Sequence, residues 1–391
     1  MNRSLSLDLL RAVAVLLVLG RHAAAMPTVG SSLLRSAAEA VMKLWRCGGW
    51  VGVDMFFVLS GFLVSGLLFR EHQKYGRISA KLFLIRRGFK IYPAYYLLLG
   101  ATAIGMLYRH AFNWTQLAVQ ILFVQNYYFY ARTWPHTWSL AVEEHFYFLL
   151  VILLALLARR KCSNPFRSIP FVFVVVAIAC LGMRVMTASS ADTQNEFVRT
   201  HTLAARTHLR LDGLFCGVVI SYFYHYHTAA FLSFARRYRL IAAVLGLAAL
   251  APAFVVPIEK SDFILTYGFT LFYVGSALIL IAAVVINPGK NILVRSLAYL
   301  GSHSYSIYVW HTPLADWLLP VIRPHFGAHW TWPIYFAIYM SMTIIIGICM
   351  SLLIEFPMLW LRDRWFPSPA TPLAVSEDVA ARTCHEKPST H

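Results

Sequence analysis

This sequence predicts an all-α fold: a polytopic transmembrane helical bundle of about ten spans, with both termini cytoplasmic. Three observations predict it. Of 391 residues, 59% are hydrophobic and 13% charged, whereas an ordinary soluble domain is about 25% charged. Mostly apolar runs of about 18 to 24 residues recur along the whole chain, each long enough to cross a bilayer. Lys and Arg, finally, gather in alternate connections between those runs.

The spans fall at 5–26, 49–69, 91–108, 138–158, 169–186, 209–226, 239–256, 263–286, 297–319 and 333–356. With the N-terminus inside, cytoplasmic segments hold 19 Lys and Arg, seven of them between Arg70 and Lys90, against nine in the outer loops. That asymmetry sets the orientation and places Cys47 outside and Cys162 inside. It also accounts for the net charge of +17, which in a soluble protein would suggest nucleic acid. No nucleic-acid partner is expected, and the reading is a multi-pass protein of the inner (plasma) membrane in contact with membrane lipid.

TQLAVQILFVQNYYFY (115–130) is apolar enough to span but carries Gln116, Gln120, Gln125 and Asn126. A full crossing would also put ARRK (158–161) outside, so a re-entrant or interfacial element is expected. Arg3, an apolar run and Ala23–Ala25 resemble a signal peptide, but Asp8 and Arg11 interrupt the stretch that should be uncharged. Residues 1–366 read as one transmembrane unit without internal repeats, and 367–391 as a polar, Pro-rich, disordered cytoplasmic tail. The six cysteines are scattered with no CxxC pair, so neither a disulfide framework nor a metal site is expected.

The first run, LDLLRAVAVLLVLGRH (7–22), takes Asp8, Arg11 and His22 into hydrocarbon, where each costs a few kcal/mol. Arg11 and His22 are eleven residues apart, close to three turns and roughly 16 Å of rise, on nearly one face. Such groups belong at the bundle interior or in a water-filled cavity. By depth, His22, Asp54, Glu143, Glu144 and Asp212 form an outer layer, with Arg184 and Arg210 on the same side. Arg11, Arg86, Arg87 and Lys90 form an inner basic layer. Arg210, Asp212 and Glu355 read either as site residues or as paired charges that lock helix to helix. His22 is favoured as a proton shuttle, because imidazole titrates near neutral pH. Asp54 reaches the depth of His22 and is expected to accept a hydrogen bond from one imidazole nitrogen, with Glu143 as the second choice. Ser304, Tyr308 and His311 share a face at i, i+4 and i+7; for His311, a cavity position and a hydrogen-bonded structural role both stand. FFVLSGFLVSG (56–66) reads as packing, since its Ser and Gly let helices approach closely.

Seven motifs in order carry a resemblance. They are LDLLRAVAVLLVLGRH with its Arg-x10-His, GVDMFFVLSGFL (52–63), RRGFKIYPAYY (86–96), TWSLAVEEHFYFLL (137–150), LRLDGLFCG (209–217), LGSHSYSIYVWHTPL (300–314) and EFP (355–357). Over roughly residues 5 to 365 the chain resembles the acyltransferase-3 family of integral-membrane O-acyltransferases, in the stand-alone form without an attached soluble hydrolase-like domain. The resemblance implies transfer of an acyl group, usually acetyl from cytosolic acetyl-CoA, to a hydroxyl of a sugar or lipid at the outer side of the membrane. It also implies a catalytic His22 with Arg11 as its partner. The chain departs from the family pattern at Lys90, where a second arginine is usual, at His145, where glutamine is common, and at Arg21 beside His22.

On that reading acyl-CoA is a donor substrate rather than a tightly bound cofactor, and no metal is needed to activate a thioester. Its phosphates would meet Arg11, Arg86, Arg87 and Lys90, and its arm would deliver the thioester towards His22, which takes the proton of an acceptor hydroxyl. Asp54, Glu143 and Glu144 complete the expected catalytic layer. Arg210, Asp212, Ser304, Tyr305, Tyr308 and His311 are expected around a glycan or glycolipid acceptor. Ser60, Tyr305 and Tyr308 are candidate donors to the oxyanion. A transporter or flippase for a lipid-linked sugar, or a non-catalytic membrane protein that binds acyl-CoA or lipid, would share the composition. A transporter is expected to show inverted repeats, and none is visible in the sequence.

Overall fold

The computed structural model describes residues 4–24, 33–128, 133–189, 195–289, 291–327 and 331–368, without the side chains of 33–36 and 197. The described residues are helical and contain no strand. In chain order the first helices are α1 (Leu5–His22), α2 (Leu33–Gly48), α3 (Val51–Tyr75), α4 (Ala80–Tyr108), α5 (Trp114–Ile121), α6 (Trp138–Ala158), α7 (Ile169–Ala188) and α8 (Glu196–Ala205). There follow α9 (Leu211–Tyr226), α10 (Thr228–Val255), α11 (Phe269–Val284), α12 (Ile292–Ser302), α13 (Ser304–Trp317), α14 (Leu319–Phe326), α15 (Trp332–Met350) and α16 (Phe356–Trp365).

Seven helical stretches among the described residues are long and apolar enough to cross a membrane: Val51–Tyr75, Ala80–Tyr108, Pro135–Ala158, Ile169–Ala188, Thr228–Val255, Ile264–Val284 and Trp332–Trp365. The chain is a multi-pass membrane protein. The other three predicted spans are shorter helices. The first ends at His22, where Ala23 turns extended with φ −66° and ψ 145°. The sixth opens as a 3-10 turn, Thr207–Leu209, leaving α9 with 16 residues. The ninth is divided between α12 and α13 at His303.

Close approach explains how the centre is built. A Cβ at Gly61 would fall 1.9 Å from the Leu214 carbonyl oxygen, and one at Gly217 would fall 2.1 Å from that of Val58. Only glycine lets the backbones of α3 and α9 touch in this way. Gly301 does the same for α12 against α1, where a Cβ would meet the Asp8 carbonyl oxygen at 1.8 Å. These contacts make α1, α3 and α9 the core of the bundle, while Ile104, Phe171, Ile178 and Leu240 on outlying helices face outward.

Two local features differ from expectation. RRGFK lies inside α4, which starts eleven residues before the predicted span, with the Ser79 hydroxyl accepting from the Leu82 amide as an N-cap. The connection after α1 contains α2, whose Trp45 indole donates to the Leu16 carbonyl at 3.1 Å. Its Arg35, Lys43 and Arg46 read as a charged outer loop, and that masked an amphipathic helix.

The 115–130 segment makes an eight-residue helix, α5, and then turns. Eight residues rise about 12 Å, too little to cross. Residues 129–130 lie outside the described residues, as do 369–391 of the predicted disordered tail. The segment's amides are structural. Tyr95 donates to the Gln120 carbonyl at 3.0 Å, Gln125 to the Thr137 carbonyl at 3.0 Å, and Asn126 to the Thr207 hydroxyl at 2.8 Å. Buried polar backbone in a membrane needs such partners. The last two bonds fix the turn after His136 and the turn before Arg210.

Candidate functional site: two cavities that share a wall

Among the described residues, two neighbouring cavities bear on the site. The larger, about 590 Å³, carries Arg11, Arg70, Arg86, Arg87, Lys90 and Arg362 in its wall and is called here the basic cavity. The smaller, about 270 Å³, carries His22, His136, Trp50, Trp138, Arg210 and Glu259 and is called the histidine cavity. Val53 and Tyr308 line both. α1 runs past the two, with Asp8 and Arg11 on the first and Val18, Arg21 and His22 on the second. The Arg-x10-His spacing thus joins one cavity to the other, roughly 16 Å along a single helix face.

His22 is oriented by backbone. Its Nδ1 lies 3.0 Å from the Val18 carbonyl oxygen. A carbonyl only accepts, so Nδ1 carries the proton and Nε2 keeps its lone pair, the form a general base requires. This corrects the expected Asp54 contact. Asp54 accepts from Arg210 at 2.6 Å, deep in the bundle, and lines neither cavity. The level differs as well: Gly49, just before α3, packs against Leu17 and Arg21, and Gly52 against Ala14, which leaves Asp54 about two turns from His22, and its side chain meets Arg210 at the start of α9.

Two further imidazoles flank His22. The His311 ring lies 4.7 Å from it and the His136 ring 4.9 Å from His311, each edge to face. All three are held by backbone carbonyls, His311 Nδ1 by that of Tyr308 on its own helix at 2.6 Å and His136 Nε2 by that of Val309 on α13 at 3.1 Å. Two charged rings about 5 Å apart would repel by about 3 kcal/mol at an effective dielectric of about 20, so the cluster favours a single proton at a time. Among the described residues, no three His, Cys, Asp or Glu side chains converge as metal ligands. His136 is the residue that sequence reasoning missed. Its signal was WPHTW (134–138), a histidine in a Pro-initiated turn between two tryptophans.

The remaining expected residues separate. Arg210 lines the histidine cavity and lies over the Phe269 ring at 3.7 Å. Asp212 lines neither cavity and pairs with the buried Arg184 at 2.8 Å, so it acts as a lock between α7 and α9. Glu143 is in the wall of the basic cavity and accepts from Tyr147 at 2.9 Å. Glu144, turned about 100° on the helix, accepts from Tyr92 at 3.0 Å and lines neither cavity. The expected outer layer of carboxylates beside His22 is therefore absent. Outside the spans, Glu259 faces Arg21: burial opposes its ionisation, but the ion pair with Arg21 outweighs burial and holds the carboxyl below its ordinary value. Arg21 is thus neutralised at the rim of the histidine cavity. His145, in the place of the common glutamine, has Nδ1 2.7 Å from the Thr207 hydroxyl.

Of the residues expected around the acceptor, Ser304 and Tyr305 line the basic cavity instead, Tyr308 lines both cavities, and His311 is buried against His22. The oxyanion role fails for both phenols. A phenol has one proton; that of Tyr305 goes to the Ile91 carbonyl at 2.5 Å and that of Tyr308 to the His136 carbonyl at 2.6 Å. Ser60 bonds Tyr147 at 2.7 Å, and because Tyr147 donates to Glu143, the serine proton is engaged too.

The basic layer is partly neutralised. Arg11 pairs with Asp8, Arg86 with Asp363 and the Phe366 carbonyl, Lys90 with Glu355, and Arg362 with Asp363. Glu355 also accepts from Ser306 at 2.7 Å, so EFP is a helix lock. Arg87 is different: it lies over the rings of Phe83 and Tyr147, at 5.7 and 5.6 Å, with no carboxylate within ion-pair distance among the described residues.

Comparison with known proteins gives O-acetyltransferases among the relatives. The O-acetyltransferase OatA of Staphylococcus aureus (strain NCTC 8325 / PS 47) is 26% identical over 296 residues, covering 69% of this chain and 46% of that protein. A presumptive O-acetyltransferase of Staphylococcus aureus (strain COL) is 29% identical over 332 residues, 78% of this chain and 49% of the relative. The chain spans about half the length of the curated relatives it matches. No solved structure matches it. A family model described as an acyltransferase domain (Acyl_transf_3) matches residues 4–352, and with that match over nearly the whole chain the protein belongs to the acyltransferase-3 family.

Proposed function

We propose that the protein is an O-acetyltransferase that takes an acyl group from cytosolic acyl-CoA and places it on a glycan or glycolipid hydroxyl at the outer side of the inner membrane. The observation that carries this reading is the shared wall at Val53 and Tyr308, with unpaired cationic charge in one cavity and a bare imidazole lone pair in the other. The basic cavity suits an anionic nucleotide and the arm that follows it. The excess of Lys and Arg around that end supports a cytosolic position for it.

The reaction then runs at the junction. His22 Nε2 takes the proton of the acceptor hydroxyl as its oxygen attacks the thioester carbonyl. The tetrahedral adduct collapses, the carbon–sulfur bond breaks, and the thiolate leaves with the proton held by the imidazolium. The Val18 carbonyl orients the base, as a third group does in hydrolytic triads, but without a carboxylate. Tyr308, bonded to the Ser139 hydroxyl at 2.6 Å, forms part of the wall between the cavities rather than donating to the oxyanion.

Deleting the gene should remove acetyl or other acyl signals from one surface glycan, read by NMR. Complementation with Arg87→Ala should restore little of the signal at limiting donor, with acyl-CoA affinity lowered roughly ten- to a hundredfold, the loss of one charge-assisted contact. A full glycan acylation pattern in the deletion strain would point instead to a carrier or a non-catalytic binder.

A further inference from the structure

Six cations wall the basic cavity, and four of them already hold a carboxylate. Arg87 and Arg70 do not, among the described residues. Arg70 comes from α3, opposite α4, and was seen in the sequence only as part of a topological charge run. It is half-buried, and its Nε is enclosed with no hydrogen-bond partner. Its sequence neighbour Glu71 is occupied, accepting from the Ser79 amide at 2.9 Å. A guanidinium held this way is costly unless something supplies the missing anion.

The Glu71–Ser79 bond also sets levels. It puts the Arg70 turn of α3 beside the first residues of α4. Arg87 lies eight residues further along α4, roughly 12 Å deeper towards the junction with the histidine cavity. The two unpaired cations therefore stand in two tiers along one cavity, the shallow one on α3 and the deep one on α4. Coenzyme A carries anions in the matching order. Its diphosphate lies at the root of the pantetheine arm, and its 3′-phosphate is on the ribose beyond.

Resting on the donor reading above, we infer that Arg70 is a ligand for the ribose 3′-phosphate of the CoA donor, while Arg87 holds the diphosphate one tier deeper. Arg70 thereby makes the site selective for CoA over nucleotides that lack this phosphate. Because Arg70 walls the cavity, the anion it takes is the donor's rather than a lipid headgroup's.

The test uses the full chain in nanodiscs of phosphatidylcholine, which carries no net charge, titrated with CoA and with dephospho-CoA. Wild type should prefer CoA by about tenfold or more. Arg70→Gln should lower CoA affinity roughly ten- to a hundredfold and leave dephospho-CoA within about twofold, which erases the preference. Arg87→Gln should weaken both ligands. Arg70→Lys, which keeps the charge, should keep part of the preference and guards against a misfolded glutamine variant. An Arg70→Gln protein that still prefers CoA, or that loses both ligands equally, overturns the assignment. Wild type that binds both ligands equally overturns it as well. If wild type binds neither nucleotide, the donor reading itself fails, a result distinct from failure at Arg70.

Discussion

His22→Ala should reduce acyl transfer by about 10²–10⁴-fold, the usual worth of a positioned general base, with normal amounts of protein in the membrane. Among the described residues the ring forms no side-chain ion pair; its Nδ1 meets a carbonyl of its own helix. Removing it therefore breaks no helix-to-helix lock, and Arg87 remains in place in the other cavity, so acyl-CoA binding should be unchanged. The variant would bind donor and not turn it over. His22→Gln offers an amide of similar reach without a basic lone pair and should be as inactive. Full activity in either variant, measured as release of CoA thiol with acceptor present, would remove His22 from the chemistry.

The second large effect is on stability. Asp54→Leu should destabilise the folded protein by about 3–5 kcal/mol, because it leaves the Arg210 guanidinium buried without its counter-ion. Both side chains of the pair are only 2–3% exposed. The partner pair Arg184–Asp212 lies close by, linking α7 to α9. The double variant Asp54→Leu with Arg210→Met should recover most of the loss, since a buried ion pair replaced by apolar groups is often neutral. Unfolding in detergent, followed by heat or denaturant, measures both. If Asp54→Leu is as stable as wild type but inactive, Asp54 has a chemical role after all, and the orienting carboxylate returns to consideration.

These two residues show where sequence reading succeeds and where it stops. The Arg11–His22 relation is legible because helix geometry alone fixes an eleven-residue spacing. Both residues do line cavities. That Asp54 is buried in the bundle is legible from the apolar run that carries it. Its direction is not, because the partner is 156 residues away on another helix. Which way α3 turns is set by the glycine contacts with α9, a property of two helices together. Glu143 and Glu144 share a depth and part company for the same reason. His136 was hidden because it lies in a three-residue turn, placed by Gln125 and by the Val309 carbonyl. The inner basic layer was legible as charge, yet its carboxylate partners are Asp8, Glu355 and Asp363, and only those contacts separate Arg87 and Arg70 from the rest.

The central claim is that the donor's thioester passes through the basic cavity and reaches the acceptor at the junction with the histidine cavity. A CoA thioester of a short diazirine-bearing acyl group tests it directly: after illumination in membranes, peptide mass spectrometry maps the cross-links. The account predicts labelling at Val53, Tyr308 or the His22 segment, prevented by excess acetyl-CoA. Labelling confined to residues that line neither cavity, or left intact by excess acetyl-CoA, would contradict it.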